Sequence, residues 1–363
     1  MTKDSPVRVA IIGTGGISGA HVDAWKHVGE RVRPVAAVDI DRERAEAFAQ
    51  RNGVPHVYTD AAEMLRAEKP ELVHICTPPA FHFPLIMQCL EAGAWVFCEK
   101  PLVASLHELD QIAEAERLTG ASCVSVFQWR FGAAAQHIHH QIAAGTFGRP
   151  YVGLCATTWY RNEAYYEVPW RGTWASELGG VNMGQAIHLI DLMVWLMGND
   201  WEEVTAVTDT LRHDIEVEDT ALAILRFRNR ALVSIVSSVL SPREESRVRL
   251  DFEKATLEVV ELYRYGNDDW TVTPPPNAEL PAGAWPPASS TRSSHGAELA
   301  LVLDAMRDGT RPPANVDDIR PTFELLTAIY KSSQTGQPVL QGSIVAGDRF
   351  YEHVGGYQAP ATP

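Results

Sequence analysis

At 363 residues the chain is too long for one ordinary hydrophobic core, so two domains are expected. Hydrophobic residues at 45% and charged residues at 21% describe a globular protein, and a formal net charge of -15 argues against nucleic acid or an anionic membrane as partner. The chain has no run of about 18 apolar residues, no apolar leader core between Met1 and Pro6, and five cysteines (Cys76, Cys89, Cys98, Cys123, Cys155) without CxxC spacing. Together these point to a reduced, cytoplasmic protein without membrane spans, disulfide framework or cysteine zinc site.

The first third alternates strands and helices. Arg8 to Gly13 is a short apolar run ending in glycines, read as a buried strand. A helix is expected from Ser18 to about His27, a second strand over Val35–Asp39, and a charged helix over Arg42–Asn52 that Gly53 stops as a C-cap. Leu72–Cys76 reads as the next strand, left through Thr77-Pro78-Pro79. A helix to Ala92 and a strand over Trp95–Cys98 then lead into Glu99-Lys100-Pro101. Such alternation implies a parallel sheet with right-handed crossovers and a ligand site outside the strands' carboxyl ends.

Those ends carry Gly13, Thr14, Gly15, Gly16, Ile17 and Ser18, an approximate dinucleotide fingerprint with Ser18 in place of the third glycine. The first glycine permits a tight turn and the second a close backbone approach to a pyrophosphate. The helix N-terminus behind them offers N–H groups to the negative charge. Asp39 ends the next strand about 20 residues on, where a carboxylate accepts hydrogen bonds from a ribose diol and repels the extra phosphate of NADP. NAD is therefore expected over NADP, with Arg42 and Arg44 near enough to leave NADP open.

After Ala121–Val126 the pattern changes. A helix is expected over Ala133–Ala144, then strands from Pro150–Leu154. Thr220–Phe227 and Ala231–Val239 flank a hairpin at Asn229-Arg230, and Arg247–Phe252 and Thr256–Leu262 extend the antiparallel run. Such a sheet can show one face to helices and the other to a second subunit. Pro274 to Pro287 reads as an irregular excursion, followed by helices over Ser294–Arg307 and Asp317–Ser332.

With these pieces placed, the sequence resembles the glucose–fructose oxidoreductase and inositol dehydrogenase (Gfo/Idh/MocA) family. The resemblance rests on Val9–Ile17, Ile75-Cys-Thr-Pro-Pro79 with His82, Glu99-Lys-Pro101, Trp170-Arg171-Gly172, Gly179-Gly180 and His188-Leu-Ile-Asp191, in order. It implies an α/β chain: a Rossmann domain with a parallel sheet (1–125), then an α/β domain with a large, mainly antiparallel sheet (126–363). It also implies NAD(P)-dependent oxidation or reduction of a sugar, glycoside or cyclitol in homodimers or homotetramers. Thr77, Pro78, His82, Glu99, Lys100, Trp170 and Arg171 fall at cofactor positions of that pattern.

Lys100 is the expected catalytic residue. At a strand end beside the nicotinamide position, a lysine can hydrogen-bond the reacting hydroxyl and relay its proton. Glu99 is expected to orient Lys100 or the cofactor. His188 lies near the start of an apolar helix with Asp191 three residues on; by resemblance it contacts substrate hydroxyls and shares the acid–base duty, with Asp191 orienting it or structural. Many members carry Asp or Asn four residues before this histidine, where this chain has Gly184, so either Asn182 or another segment supplies the polar contact, or the substrate does not require it. Tyr165, Tyr166, Trp170 and Arg171, in an aromatic and arginine-rich segment with Trp159, Tyr160, Arg161 and Trp174, suit a sugar's apolar faces and hydroxyl edges. His295 is a weaker candidate. His137 and His140 share a helix face but lack a third ligand, so no metal is expected. Two other reaction classes fit the same motifs: an NAD-retaining enzyme that eliminates a glycosidic substituent through transient oxidation, and a non-catalytic dinucleotide sensor.

Overall fold

The computed structural model describes residues 5–357. They form two compact units, one running to Val126 and including His295–Ile319, the other comprising Phe127–Ser294 and the residues from Arg320 on.

In the first unit β1 (Val7–Ile12), α1 (Ser18–Val28), β2 (Val32–Val38), α2 (Arg42–Asn52), β3 (His56–Tyr58) and α3 (Ala61–Glu68) alternate. They are followed by β4 (Leu72–Ile75), α4 (His82–Glu91), β5 (Trp95–Cys98), α5 (Leu106–Thr119) and β6 (Cys123–Ser125). The strands form one parallel sheet in the order β3-β2-β1-β4-β5-β6. β4 is buried along its whole length, as a strand covered on both faces must be. The α2 boundaries follow from its caps: the Asp41 carboxylate accepts from the Arg44 N–H, and Gly53 closes the helix in the left-handed conformation at φ 67°. Strand order reverses between β1 and β4, and this switch point sets Gly13, Thr77 and Glu99 side by side at the strands' carboxyl ends.

The second unit holds α6 (Ala133–Ala143), β7 (Pro150–Tyr160), α7 (Glu163–Tyr166), α8 (Ile187–Leu196), β8 (Trp201–Asp209), β9 (Thr220–Phe227) and β10 (Leu232–Ser238). β11 (Leu240–Phe252), β12 (Thr256–Val260) and β13 (Trp270–Thr273) follow, then most of α10 (Val316–Thr335), β14 (Val339–Leu340) and α11 (Arg349–Glu352); α9 (His295–Asp308), which precedes α10 in the chain, belongs to the first unit. Its eight strands run β13-β12-β11-β7-β10-β9-β8-β14, antiparallel except where β10 pairs with β7. β8 escapes a reading by alternation because its register slips between Trp201 and Glu203, which puts the apolar residues out of phase. Beyond its short pairing with β14, β8 donates the Ala206 and Thr208 N–H groups to Ser332 and Ser333 of α10, at 3.0 and 2.8 Å. An edge that would otherwise recruit foreign strands is thereby covered.

One face of this sheet packs on α8, whose residues are nearly all buried. The other carries a cross-strand row of Val207, Leu222, Val236 and Ala156, beside Ile224 and Leu154. Leu222 is 52% and Ile224 65% exposed. Toward β11 and β12 the row ends in the ion pairs Arg247–Glu258 and Arg249–Asp251.

A division at 125/126 with one contiguous second domain leaves residues 295–319 on the wrong side. They return to the first unit because α9 packs against α1, fixed by Arg31 to Asp304 at 2.8 Å. Close approach requires Gly296, where a Cβ would stand 2.6 Å from that of His27. No helix among the described residues is long and apolar enough to cross a membrane. Gly296→Val overpacks this contact and is expected to lower stability by about 2 kcal/mol in urea titration; an unchanged midpoint would show that α9 docks without it.

Candidate active site

The glycine loop is closed by a carboxylate. Asp39 Oδ2 accepts from the Thr14 N–H at 2.9 Å and the Thr14 hydroxyl at 2.8 Å, while Oδ1 accepts from the Asp41 N–H at 3.0 Å. Burial opposes its ionisation, but these donors and nearby Arg44 outweigh burial and hold Asp39 below the usual carboxylate range. Arg44 spans Asp39 at 3.6 Å and Asp41 at 3.2 Å, and Arg42 pairs with Glu46, so both arginines already face carboxylates.

Gly13, at φ 90°, donates to Val38 O, and a Cβ there would lie 2.8 Å from the Cys76 backbone carbon. At Gly15 and Gly16, by contrast, nothing lies within 4 Å of a Cβ position and both residues are exposed. Ser18 is buried at the third-glycine position, and its hydroxyl donates to Gly15 O at 2.6 Å, closing the turn. Ile17 leads directly into α1. A tight turn, an open glycine shelf, a helix N-terminus and an ionised carboxylate fit a dinucleotide's pyrophosphate and ribose. At the end of β4, Pro78 is half-buried, and the Thr77 hydroxyl is buried without a hydrogen-bond partner among the described residues.

Two side chains expected at the cofactor are instead occupied inside the unit. His82 is fully buried, with Nδ1 2.8 Å from Pro101 O and Nε2 2.9 Å from Thr77 O, so its ring braces the ends of β4 and β5. Burial lowers its pKa although the carbonyls favour the charged ring. Glu99 also turns inward: Oε1 accepts from His21 Nε2 at 3.1 Å and His295 Nε2 at 2.9 Å, and Oε2 from the Lys100 N–H at 3.3 Å. Burial favours its neutral form, yet the two imidazoles hold it well below the carboxylate range. Lys100 is half-buried at the end of β5.

In the second unit a five-residue π-turn, Asn182–Ala186, leads into α8, whose second residue is the buried His188. Such turns recur at functional sites. Asp191, one turn on, is buried with its carboxylate forked on Arg130; Oδ2 lies 2.6 Å from Arg130 Nε and Oδ1 3.0 Å from the Thr322 hydroxyl. Asp191 thus anchors α8 through a buried ion pair that sequence did not suggest, since Arg130 lies 61 positions away. Phe127 sets its ring edge-on to His188 and lies under Arg130.

Arg171 is stacked 3.8 Å from the Tyr165 ring and 4.2 Å from the Trp170 ring, bonds the Tyr165 hydroxyl, and pairs with Glu177 at 2.9 Å. Gln185 donates to the same hydroxyl at 2.7 Å, and Tyr166 stands edge-on to Tyr165. Three buried acids that sequence did not single out hold this region. Glu177 accepts from the Gly172 N–H at 2.6 Å; Glu218 accepts from Gly180 and Asn182 N–H and the Tyr330 hydroxyl; Asp219 accepts from Leu211, Arg212 and His213 N–H. Burial pushes Glu218 up to about 7 despite those donors. The buried Asn182 thus contributes its backbone. At Gly184 a Cβ would meet only Glu177 Oε1, at 3.5 Å, so packing does not demand glycine there, and the polar group nearest that position belongs to Glu177.

His137 Nε2 faces Ala284 O, and His139 stacks on Trp195. Within the first unit, His21, Glu99 and His295 bring three potential ligand atoms within 4.8 Å of one another, a juxtaposition no sequence spacing announced.

Burial holds His21 below its ordinary 6.5, and His74 well below it. The unfolded chain therefore takes up protons on acidification that the folded chain refuses. Their stabilisation is complete above pH 6.5 and is lost as pH falls below it. Each histidine contributes a slope of about 1.4 kcal/mol per pH unit. Urea midpoints should fall between pH 7.5 and 5.5, less steeply in His74→Asn; a flat profile would mean that the pair is not held neutral.

Residues 7–127 match the family described as "Oxidoreductase family, NAD-binding Rossmann fold", and residues 135–258 match the GFO/IDH/MocA C-terminal domain. The chain is 27% identical to D-glucoside 3-dehydrogenase of Escherichia coli (strain K12), over 92% of this chain and 97% of that protein. It is 26% identical to D-apiose dehydrogenase of Paraburkholderia graminis, over 93% and 90%. The structure of the WlbA dehydrogenase from Bordetella pertussis, in complex with NADH and UDP-GlcNAcA, superposes with a TM-score of 0.82 at 28% identity, covering 92% of this chain and 98% of that one. With both domains matched in order and the glycine loop built as a dinucleotide cradle, the chain belongs to the Gfo/Idh/MocA family of NAD-binding oxidoreductases.

Proposed function

We propose that this oxidoreductase interconverts a secondary hydroxyl and a ketone on a sugar, glycoside or cyclitol, with NAD rather than NADP as its partner. The observation that carries the reading is Asp39: ionised, fixed on Thr14 at the open glycine shelf, with Arg44 already committed to carboxylates. A second phosphate on the ribose would face this anion, and the arginine that reaches Asp39 is already paired with carboxylates. The dehydrogenases named above act, by their names, on a glucoside and on apiose, which supports the substrate class. Tyr165, Trp170 and the stacked Arg171 suit a pyranose's apolar face and hydroxyl edge.

When bound, the nicotinamide supplies the hydride acceptor. Lys100 would take the hydroxyl proton, and His188 would hydrogen-bond a substrate hydroxyl as an acid–base group. Thr77 and Pro78, at the end of β4, would stand beside the bound cofactor. Five buried, free cysteines support a reducing, cytoplasmic setting.

The test is a screen of sugars, glycosides and inositols with NAD and NADP, followed by fluorescence. NADH should accumulate with at least one sugar, and Lys100→Met should lower kcat at least about 100-fold while NAD still binds. Turnover that survives in Lys100→Met sinks this mechanism, and product release without net NADH favours transient oxidation followed by elimination.

We further propose that a second copy of the chain covers the outer sheet face, giving a dimer or tetramer. The apolar row from Val207 to Ala156, with Ile224 beside it and arginine–carboxylate pairs at one end, has the make-up of an interface core and rim. Ile224→Lys should shift the mass seen by light scattering toward the monomer; an unchanged assembly would put the interface elsewhere.

A further inference from the structure

Where α1 and the start of α9 meet β4 and the end of β5, five side chains form one buried hydrogen-bonded chain that the proposed chemistry does not use. Trp25 Nε1 lies 3.0 Å from His74 Nε2, His74 Nδ1 2.9 Å from His21 Nδ1, and His21 Nε2 3.1 Å from Glu99 Oε1. His295 Nε2 reaches the same oxygen at 2.9 Å. His21 and His74 have no exposed surface.

The direction of every bond is fixed from one end. An indole N–H only donates, so His74 Nε2 is bare and the ring is neutral with its proton on Nδ1. That proton points at His21 Nδ1, which must accept, so His21 is neutral and protonated on Nε2. Glu99 Oε1 then receives two N–H donors and Oε2 receives the Lys100 N–H. A carboxylate surrounded by donors is an anion. Three other titratable neighbours add no charge beside it: Cys76 after β4 and Cys98 in β5 are pushed toward the neutral thiol by burial, and His82 of α4 toward the neutral ring.

A metal held by His21, Glu99 and His295 would need a bare His21 Nε2. That would reverse the whole chain and turn the His74 proton onto the Trp25 N–H, so the cluster is set for hydrogen bonds.

We propose that Trp25, His74, His21 and His295 are positioning residues for the reaction: they clamp Glu99 as a fixed anion behind Lys100, and that anion sets the pH at which Lys100 accepts the substrate's proton. The inference rests on the reading of Lys100 given above. Glu99 Oε2 accepts the Lys100 backbone N–H at 3.3 Å, and an anion seated at that residue favours its protonated amine, so Glu99 holds Lys100 ready as an acid and raises the pH at which it acts as a base.

The test uses the NAD-loaded enzyme with the sugar found in the screen. His295→Leu should lower kcat about tenfold, the loss expected for one charge-assisted hydrogen bond, with KM and NAD affinity within about twofold. His295→Gln, which keeps an N–H near the position of Nε2, should recover most of it. Glu99→Gln should move the acid limb of the kcat profile down by about one pH unit. On the cofactor-free protein, side-chain nitrogen NMR should show His74 protonated on Nδ1 and His21 on Nε2, a result independent of turnover. The opposite tautomers, stoichiometric metal lost in His21→Asn, or unchanged kcat and pH profile in both His295→Leu and Glu99→Gln would overturn the proposal. If Lys100→Met stays active, the reading of Lys100 fails instead, and the tautomers still decide the chain. Should His295→Leu not fold, His295→Gln, Glu99→Gln and the tautomers carry the test.

Discussion

A carboxylate withdrawn from water must be surrounded by donors, and the functional ends of both units are organised around that requirement. Asp39 gathers Thr14 and Asp41, and so fixes where the glycine loop ends and α2 begins. Glu177, Glu218 and Asp219 do the same for backbone that has no secondary structure of its own, around Gly172, Gly180 and Leu211. Loops normally stay at the surface because their backbone groups need partners. Here side-chain oxygens provide those partners, which lets irregular segments pass through the interior beside the π-turn that carries His188. Gly180 belongs to the same device, since a Cβ there would run into the Glu218 backbone.

Much of the first unit was legible because its signals are local. Apolar runs that stop at Gly13, Pro78 and Pro101 name their strands and mark which ends face a ligand. Gly53 and Asp41 set the limits of α2 to the residue. The glycine loop and Asp39 were found for the same reason, as their function depends on position along one strand–turn–helix unit. In the second unit the hairpin at Asn229-Arg230 was visible, with Arg230 at φ 74°, while β8 was hidden by its slipped register.

What sequence did not reveal is long-range pairing. Arg130 finds Asp191, Glu218 finds Gly180 and Asn182, and His295 finds Glu99 across 196 positions. No periodicity encodes such pairs, because each depends on where the sheet places two distant segments. The inward turn of His82 and Glu99 is invisible for a related reason: residues next to a ligand position and residues bracing it occupy the same motif, and only burial separates them. The return of 295–319 to the first unit belongs here too, because it is decided by a helix contact that needs Gly296.

The brace made by His82 has one unusual property. Its two ring nitrogens each face a carbonyl oxygen, yet a neutral imidazole owns a single N–H. With burial favouring the neutral ring, the proton can serve Thr77 or Pro101 but not both at once. Whichever tautomer forms, one of the two carbonyls goes without the imidazole proton. The joint between β4 and β5, one residue from Lys100, is thus locally frustrated, beside a Thr77 hydroxyl that is itself buried without a partner among the described residues. That single proton can tie down the end of β4 or the loop after β5, never both together.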